Sequence, residues 1–296
     1  MIHARNIVKS YGEVDVLRGI SLEVERGTIH GFVGPNGAGK STFLKSIVGV
    51  VRLDSGSLHV DGVDARCDTL EVRRRIGYAP AETSLYHRMR AQELLDLAVR
   101  YHPESDRARG LELLDVLGVP RRRRVGALSH GMKRKLILSQ AIASNAPLMI
   151  LDEPMEALDP EARRLVEDML LEEVAAGRTI FLSSHDLFST QRLCSRVTFL
   201  HHGEVLRDGL VSDLLSGRTG RLHVQLREPM ASEALPSGEG LHWTGSDTNW
   251  QLRYDQPLEE VMKRLATLPL AGVRDDGGSL EDLFDRLYDA AGEEAS

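Results

Sequence analysis

The stretch GPNGAGKST, residues 34–42, contains the pattern G-x-x-x-x-G-K-[ST]. Its glycines allow a tight turn in which consecutive backbone N–H groups point inward at phosphate oxygens. Lys40 would place its positive charge beside the terminal phosphates, and the Ser41 hydroxyl is a typical ligand of Mg²⁺. We therefore predict a phosphate loop that binds a nucleotide. Its residues are Gly34, Pro35, Asn36, Gly37, Ala38, Gly39, Lys40, Ser41 and Thr42.

The segments on either side of the phosphate loop support this interpretation. TIHGFV, residues 28–33, is short, apolar and rich in strand-forming residues. STFLKSIVGV, residues 41–50, has the apolar spacing of a helix, and the positive end of its dipole would face the phosphates. A phosphate loop is expected between a strand and a helix. The apolar helical face consists of Phe43, Leu44, Ile47 and Val48.

Length and composition exclude several classes of protein. The chain has 296 residues, enough for one large domain or two unequal ones, and its net charge of −7 argues against a nucleic-acid binder. Cys67 and Cys194 are too few for a disulfide framework, which fits a reducing cytosol. There is no secretory signal and no apolar stretch of about 18 residues. We expect a soluble cytoplasmic chain without a nucleic-acid partner.

The order of apolar segments predicts the domain organisation. Buried strands such as LMILDEP and RTIFLSSH alternate with helices, which indicates an α/β domain with a parallel sheet covered on both faces. A helical pattern between about residues 85 and 145 indicates a subdomain inserted in it. We place the first domain at residues 1–217. Residues 218–296 follow a linker-like SGRTG and predict a small α+β domain.

Two acidic residues end the apolar strand of PLMILDEP, residues 147–154. A carboxylate at a strand tip can hold Mg²⁺ through water, which suits Asp152. Glu153 would then polarise the attacking water. An ordinary acidic turn is the alternative, and the phosphate loop earlier in the chain makes it the weaker one.

LSHGMKRK, residues 128–135, predicts a second phosphate-binding element. A Ser-x-Gly turn at a helix start offers a hydroxyl, free backbone N–H groups and a positive helix dipole. An N-capped helix with a basic face is the alternative if the segment is taken alone. Together, the phosphate loop, this element and LDEP resemble the nucleotide-binding subunit of ABC transporters over residues 2 to about 216. The signature segment of that family corresponds here to Ser129, His130, Gly131 and Met132.

The resemblance implies a fold, a reaction and partners. The fold would be a P-loop NTPase domain of ABC type, and the activity would be ATP hydrolysis with Mg²⁺. Tyr11 matches the aromatic residue that stacks on adenine, Asp159 the D-loop aspartate, and His185 the switch histidine at the γ-phosphate. ATP would lie between the phosphate loop of one chain and the signature segment of a second ATPase chain, with a homodimer as the simplest case. The chain would power a separate integral membrane permease and lie at the inner face of the membrane through it.

The sequence also departs from the commonest pattern of that family. Ala81 stands where glutamine is usual. Glu82 beside it could reach the metal instead, or a water could fill the gap, but simple loss of this ligand is the interpretation that we prefer. Met155, Glu156 and Ala157 replace the commoner Thr or Phe, Asn or Ser, and Gly. The SHGMK form of the signature resembles the ATPase subunits of bacterial ABC-2-type drug and antibiotic exporters. Export is therefore the expected direction of transport.

Other functions remain open at this point. A soluble ABC ATPase acting on DNA would need a long coiled-coil insert, and only 47 residues lie between Ala81 and Ser129. A small-molecule kinase would not need the signature segment or His185. An importer ATPase is a further alternative, and only the detailed composition of the motifs favours an exporter over it.

Overall fold

The computed structural model describes residues 1–81, 86–215, 220–275 and 279–294. The chain divides into two compact units, Met1–Leu210 and Val211–Ser296. The boundary expected from the sequence, at residue 217, lies outside the described residues.

The first unit is built from strands and helices that alternate along the chain. Its strands are β1 Ile2–Tyr11, β2 Val14–Val24, β3 Ile29–Val33, β4 Ser55–Val60, β5 Val63–Asp64, β6 Ile76–Ala79, β7 Leu148–Asp152, β8 Thr179–Ser184, β9 Arg196–His201 and β10 Glu204–Leu210. Its helices are α1 Lys40–Ile47, α2 Thr69–Arg74, α3 Ala91–Val99, α4 Arg107–Val116, α5 His130–Ala143, α6 Pro160–Ala175 and α7 Leu187–Leu193.

The larger sheet of this unit has the strand order β10-β9-β3-β8-β7-β6. All neighbouring strands are parallel except β10, which pairs antiparallel with β9 at the edge. Every residue of β3, β7 and β8 is buried, as expected for a parallel sheet covered on both faces. The predicted parallel sheet is confirmed. Because the carboxyl ends of parallel strands share one edge, the segments that follow β3, β7 and β8 meet there.

A second, antiparallel sheet has the order β2-β1-β4-β5. Ile2 pairs with Val24 of β2 on one side and with Val60 of β4 on the other. One hydrophobic core joins this sheet to α1 and to the larger sheet. The predicted apolar face of α1 is confirmed, since all four of its side chains are buried: Phe43, Leu44, Ile47 and Val48.

Three helices, α3, α4 and α5, occupy the region where the sequence predicts a helical subdomain. They pack on one another, and α5 also contacts β6. Asp106 caps α4 by accepting a hydrogen bond from the Arg109 N–H, and Ser129 caps α5 in the same way from Met132. The start of α5 therefore lies at the predicted second phosphate-binding element.

The second unit is a small α+β domain, as the sequence predicts. Its elements are α8 Val211–Leu215, β11 Gly220–Leu226, β12 Leu241–Ser246, β13 Asn249–Tyr254, α9 Leu258–Leu265, β14 Leu270–Asp275 and α10 Leu280–Glu294. The sheet is antiparallel throughout, with the order β12-β13-β11-β14. None of the helices in the described part of the chain combines the length and the apolar character that a membrane span requires.

The apolar face of α9 is narrower than its sequence suggests. Leu258, Val261, Met262 and Leu265 have helical spacing, but only Val261 and Leu265 join the core of the sheet. Leu258 and Met262 keep 43% and 41% of their surface exposed. An eight-residue helix on a small sheet covers it with one i, i+4 pair, and the neighbouring pair turns away.

Candidate functional site

The phosphate loop connects the buried strand β3 to α1, and its glycines are required by shape. Gly37 and Gly39 have φ angles of +84° and +106°, in the left-handed region that side chains rarely adopt. A Cβ on Gly34 would lie 2.4 Å from the Leu200 carbonyl oxygen, and one on Gly39 would lie 2.8 Å from the Val16 carbonyl oxygen. Any larger residue at Gly34 or Gly39 would therefore push the loop away from its neighbours.

Backbone hydrogen bonds hold the phosphate loop in place. The Ala38 N–H donates to the Pro35 carbonyl at 3.2 Å, and the Ala38 carbonyl accepts from the Gly203 N–H at 3.0 Å. Gly203 lies in the turn between β9 and β10, so the edge of the large sheet supports the loop. Asn36 is exposed, and Ser41 and Thr42 are partly buried in the first turn of α1. That turn carries no acidic side chain, so no residue of the turn itself opposes an anion at the helix dipole.

Lys40 is almost completely buried at the first position of α1, with 6% of its surface exposed. Its Nζ donates hydrogen bonds to the Gly34 carbonyl at 2.6 Å and to the Pro35 carbonyl at 3.2 Å. The same ammonium lies 3.5 Å from Oε1 of Glu153. The loop thus directs one buried cation at the end of β7.

Glu153 follows β7 and bridges two other predicted site residues. Its Oε1 faces Lys40, and its Oε2 lies 2.9 Å from Nδ1 of His185, which follows β8. The backbone of Glu153 has a φ of +51°, a costly conformation that concentrates at functional sites. The structure therefore brings Lys40, Glu153 and His185 together from three parts of the chain, and we call them the charge cluster.

Asp152 and Ser183 form a hydrogen-bonded pair that contacts the backbone of Glu153 in the charge cluster. Asp152 is fully buried, and its Oδ1 accepts a hydrogen bond from the Ser183 hydroxyl at 2.6 Å. Ser183 in turn accepts one from the Glu153 N–H at 3.0 Å. The other carboxylate oxygen of Asp152, Oδ2, is buried without a hydrogen-bond partner. An orphaned anionic oxygen of this kind fits a cation or a water bound to one.

The residues present suit Mg²⁺ better than a metal ion whose ligands are all protein side chains. In the described part of the chain, no group of three or more His, Cys, Asp or Glu side chains could hold a metal. Mg²⁺ usually takes one or two protein oxygens and completes its shell with water and phosphate. Asp152 and the Ser41 hydroxyl are the protein oxygens that would serve.

The signature segment lies elsewhere in the first unit. Ser129 caps α5, since its Oγ accepts a hydrogen bond from the Met132 N–H at 3.2 Å. His130 is exposed, and Met132 is partly buried. A Cβ on Gly131 would lie 2.6 Å from the Ala157 carbonyl oxygen, so this glycine permits close contact with the segment at residues 155–159. Gly131 thus joins the signature segment to residues 155–159.

Asp159 caps α6 and faces α5. Its carboxylate accepts a hydrogen bond from the Ala162 N–H at 2.8 Å, which holds the pKa of Asp159 below its usual value. The other carboxylate oxygen lies 3.6 Å from Nζ of Lys135 on α5. The predicted D-loop residue is thus tied to the helix that the signature segment begins.

Tyr11 ends β1 with half of its surface exposed. The contact that the structure shows for its ring is the Lys9 ammonium, 5.1 Å from the ring centroid. The exposed ring is free enough of its own chain to stack on a planar group.

Three comparisons bear on identity. The pattern of the ABC transporter family matches residues 17–156. The linearmycin resistance ATP-binding protein LnrL of Bacillus subtilis (strain 168) is 33% identical over 241 residues, which are 79% of this chain and 77% of that protein. This chain belongs to the ABC transporter ATP-binding proteins. The Nod factor export ATP-binding protein I of Rhizobium meliloti (strain 1021) is 34% identical over 295 residues, or 97% and 87% of the two chains.

Solved structures agree with this membership. An ATP binding subunit of an ABC transporter is 30% identical, with a TM-score of 0.68, over 72% of this chain and 91% of that one. A dimeric bacterial ABC transporter cassette, MJ0796, is 25% identical, with a TM-score of 0.67, over 71% and 99%. The predicted P-loop NTPase fold of ABC type is confirmed. The predictions that the chain binds ATP and is an ATPase subunit of a transporter are confirmed as well.

Two residues with central contacts were missed from the sequence. Ser183 stands in FLSSH, beside His185, and its position at the end of a buried strand was the available signal. Arg134 follows the signature segment, and its sequence neighbours suggest a basic helix face. In the structure, however, its side chain is completely buried. Glu82, one alternative for replacing the glutamine usual at position 81, lies outside the described residues.

Proposed function

We propose that this ABC ATPase powers a separate integral membrane permease and that the direction of transport is export. The names of similar proteins support export, since several are called Nod factor export ATP-binding proteins. The SHGMK form of the signature segment supports the same direction. The chain would work at the inner face of the cell membrane, held there by the permease.

The charge cluster is the observation that carries the chemistry of this proposal. Glu153 is held between Lys40 and His185, with Oε1 and Oε2 each facing one of them. We propose that Glu153 accepts a proton from the water that attacks the γ-phosphorus, while Lys40 and His185 contact the phosphate oxygens. Mg²⁺, held by Asp152 and Ser41, would neutralise phosphate charge. Tyr11 would stack on adenine.

We further propose that the site is completed by a second copy of the chain. Gly131 of the signature segment lies against Ala157, and Asp159 contacts Lys135 on α5 and caps α6. A nucleotide held by both sets of residues would then join two chains, with Ser129, His130, Gly131 and Met132 of one facing the phosphate loop of the other. The dimeric cassette MJ0796 supports a homodimer of this kind.

We propose a nucleotide-binding domain that ends close to Leu210, followed by an accessory domain. All the proposed site residues lie in the first compact unit, Met1–Leu210. The second unit carries no motif for nucleotide chemistry in its sequence. Its sheet and α9 form their own core, which supports independent folding.

A two-part experiment tests the proposed function. The purified chain should release phosphate from ATP with no phosphate acceptor present, whereas a small-molecule kinase would need an acceptor. The chain should also move to the membrane fraction when it is produced together with the membrane protein encoded in the adjacent reading frame. The transport proposal is wrong if the chain stays in the supernatant with each such membrane protein. It is also wrong if no adjacent reading frame encodes membrane spans.

A further inference from the structure

Arg134 is a fully buried cation in the second turn of α5. None of its surface is exposed, and it is the largest of the side chains buried to that extent. Its Nη1 donates to the Pro80 carbonyl at 2.6 Å and lies 3.3 Å from the Asp152 carbonyl. Its Nη2 donates to the Ala81 carbonyl at 2.6 Å. One guanidinium therefore joins α5 to the segment after β6 and to the end of β7.

A buried charge of this kind is costly unless it is well paired. The carboxylate that the structure shows beside it, Oε2 of Glu156, lies 3.8 Å from Nη2 and is half exposed. Burial lowers the pKa of Arg134, and its Nε has no hydrogen-bond partner. Arginine nevertheless keeps its charge, because its pKa lies far above neutral pH. Backbone carbonyls thus provide most of the stabilisation, and they fix the direction of each N–H group.

The segments joined by Arg134 include the places where the sequence departs from the common pattern of its family. Ala81, in the position where glutamine is usual, contributes its backbone carbonyl. Glu156, where an uncharged residue is usual, contributes its carboxylate. Ala157, next to Glu156, lies against Gly131 of the signature segment. Ala81 and Glu156, two separate departures along the sequence, therefore both contact Arg134.

We propose that Arg134 is a positioning residue that ties the signature segment to the hydrolytic site of the same chain. Ser129 begins α5, and Arg134 on that helix holds the carbonyls of Ala81 and Asp152. A displacement of the signature segment by a phosphate would thus shift the end of β7, where Asp152 and Glu153 stand. Alanine at position 81 has no side-chain donor or acceptor. The hydrogen bonds from Arg134 to backbone carbonyls therefore position this segment. This inference rests on the proposed roles of Glu153 and the signature segment.

The first test is Arg134→Lys, measured as steady-state ATPase activity with ATP and Mg²⁺ varied separately. Lysine keeps the charge but presents a single point, which cannot hold carbonyls on two sides in the fixed directions of a guanidinium. We expect kcat to fall roughly 10- to 100-fold, the size of effect that small misplacements of catalytic groups produce. The KM for ATP should change little, because Lys40 and the phosphate loop are untouched. A stability role alone would leave the kcat of the folded fraction unchanged.

The second test uses Glu156→Gln, which changes a half-exposed side chain and so leaves the fold intact. We expect a smaller loss of kcat, and a double variant with Arg134→Lys whose loss is less than the product of the two single losses. Glu161→Gln is the matched control, because Glu161 is an exposed glutamate at the start of α6. It should leave kcat unchanged.

Two results would overturn the inference. One is a folded Arg134→Lys protein with wild-type kcat. The other, which decides the matter if Arg134→Lys does not fold, is a Glu156→Gln protein with wild-type kcat. Glu153→Gln, measured in parallel, separates this outcome from failure of the proposed chemistry. If Glu153→Gln is inactive while the Arg134 and Glu156 variants are normal, only the positioning role is wrong. If Glu153→Gln remains active, the proposed chemistry itself is wrong.

Discussion

The charge cluster and the signature segment are built in opposite ways. The cluster is largely enclosed: the side chains of Lys40 and Glu153 are 6% and 13% exposed, and His185, at 58%, is its one open side. Its members come from three parts of the chain, and the Glu153 carboxylate contacts both Lys40 and His185. The signature segment is open, and its Ser129 hydroxyl is used to cap its own helix. This contrast teaches that one half of the proposed site is complete within the chain, while the other half presents its helix start outward.

The first and largest effect is expected inside the charge cluster, at Glu153. Glu153→Gln keeps the shape of the side chain but removes the base, so hydrolysis should slow by roughly 10²–10⁴. ATP binding should persist, and ATP-stable dimers should accumulate. Phosphate release and size-exclusion chromatography with ATP measure the two results. The control Glu161→Gln should turn over normally, and normal turnover in Glu153→Gln itself would remove this residue from the chemistry.

A second variant separates binding from hydrolysis within the same cluster. Lys40→Ala removes a charge-assisted contact with phosphate worth about 1.5–3 kcal/mol, which corresponds to a Kd for ATP that is roughly 10- to 150-fold weaker. Titration with a fluorescent ATP analogue measures it. Lys45→Ala, on the same helix, should bind nearly as tightly as the wild type. Equal affinities for the two variants would show that the loop binds phosphate through its backbone alone.

A smaller effect is expected where the signature segment meets residues 155–159. Ala157 has a φ of +60°, which an L side chain adopts at a cost. Ala157→Gly should therefore raise the free energy of unfolding by about 1 kcal/mol. Ala98→Gly, inside α3, should lower it by a similar amount. Denaturant titration checks both signs, and a destabilised Ala157→Gly protein would mean that its methyl group contributes more than the strain costs.

The smallest effect is expected from removing the second unit. A chain that ends at Leu210 should fold and bind ATP as tightly as the full chain, because both halves of the proposed site lie in the first unit. Thermal unfolding and the same ATP titration test this. An insoluble product, or one that no longer binds ATP, would make the second unit part of the nucleotide-binding fold.

Short-range patterns were readable from the sequence, and contacts across long sequence separations were not. The phosphate loop, its flanking strand and helix, and the acids after β7 each lie within one continuous stretch. The link from Ser183 to Asp152 spans 31 residues, and the link from Arg134 to Ala81 spans 53. Nothing in either residue's own neighbourhood marks its partner. The exposure of Leu258 and Met262 was not readable for a related reason, since helical spacing gives an apolar face but not how much of it a small sheet covers.

We propose that the phosphate loop of one chain and the signature segment of another act on one nucleotide, and mixing two variants tests this directly. Lys40→Ala disables the phosphate loop, and Ser129→Arg blocks the signature segment of an otherwise intact chain. Each variant alone should be nearly inactive while folded, as circular dichroism would verify. Mixed together, they should regain ATPase activity, because each mixed pair contains one site with an intact loop and an intact signature segment. A mixture of two folded variants that stays inactive at every protein concentration would contradict the claim.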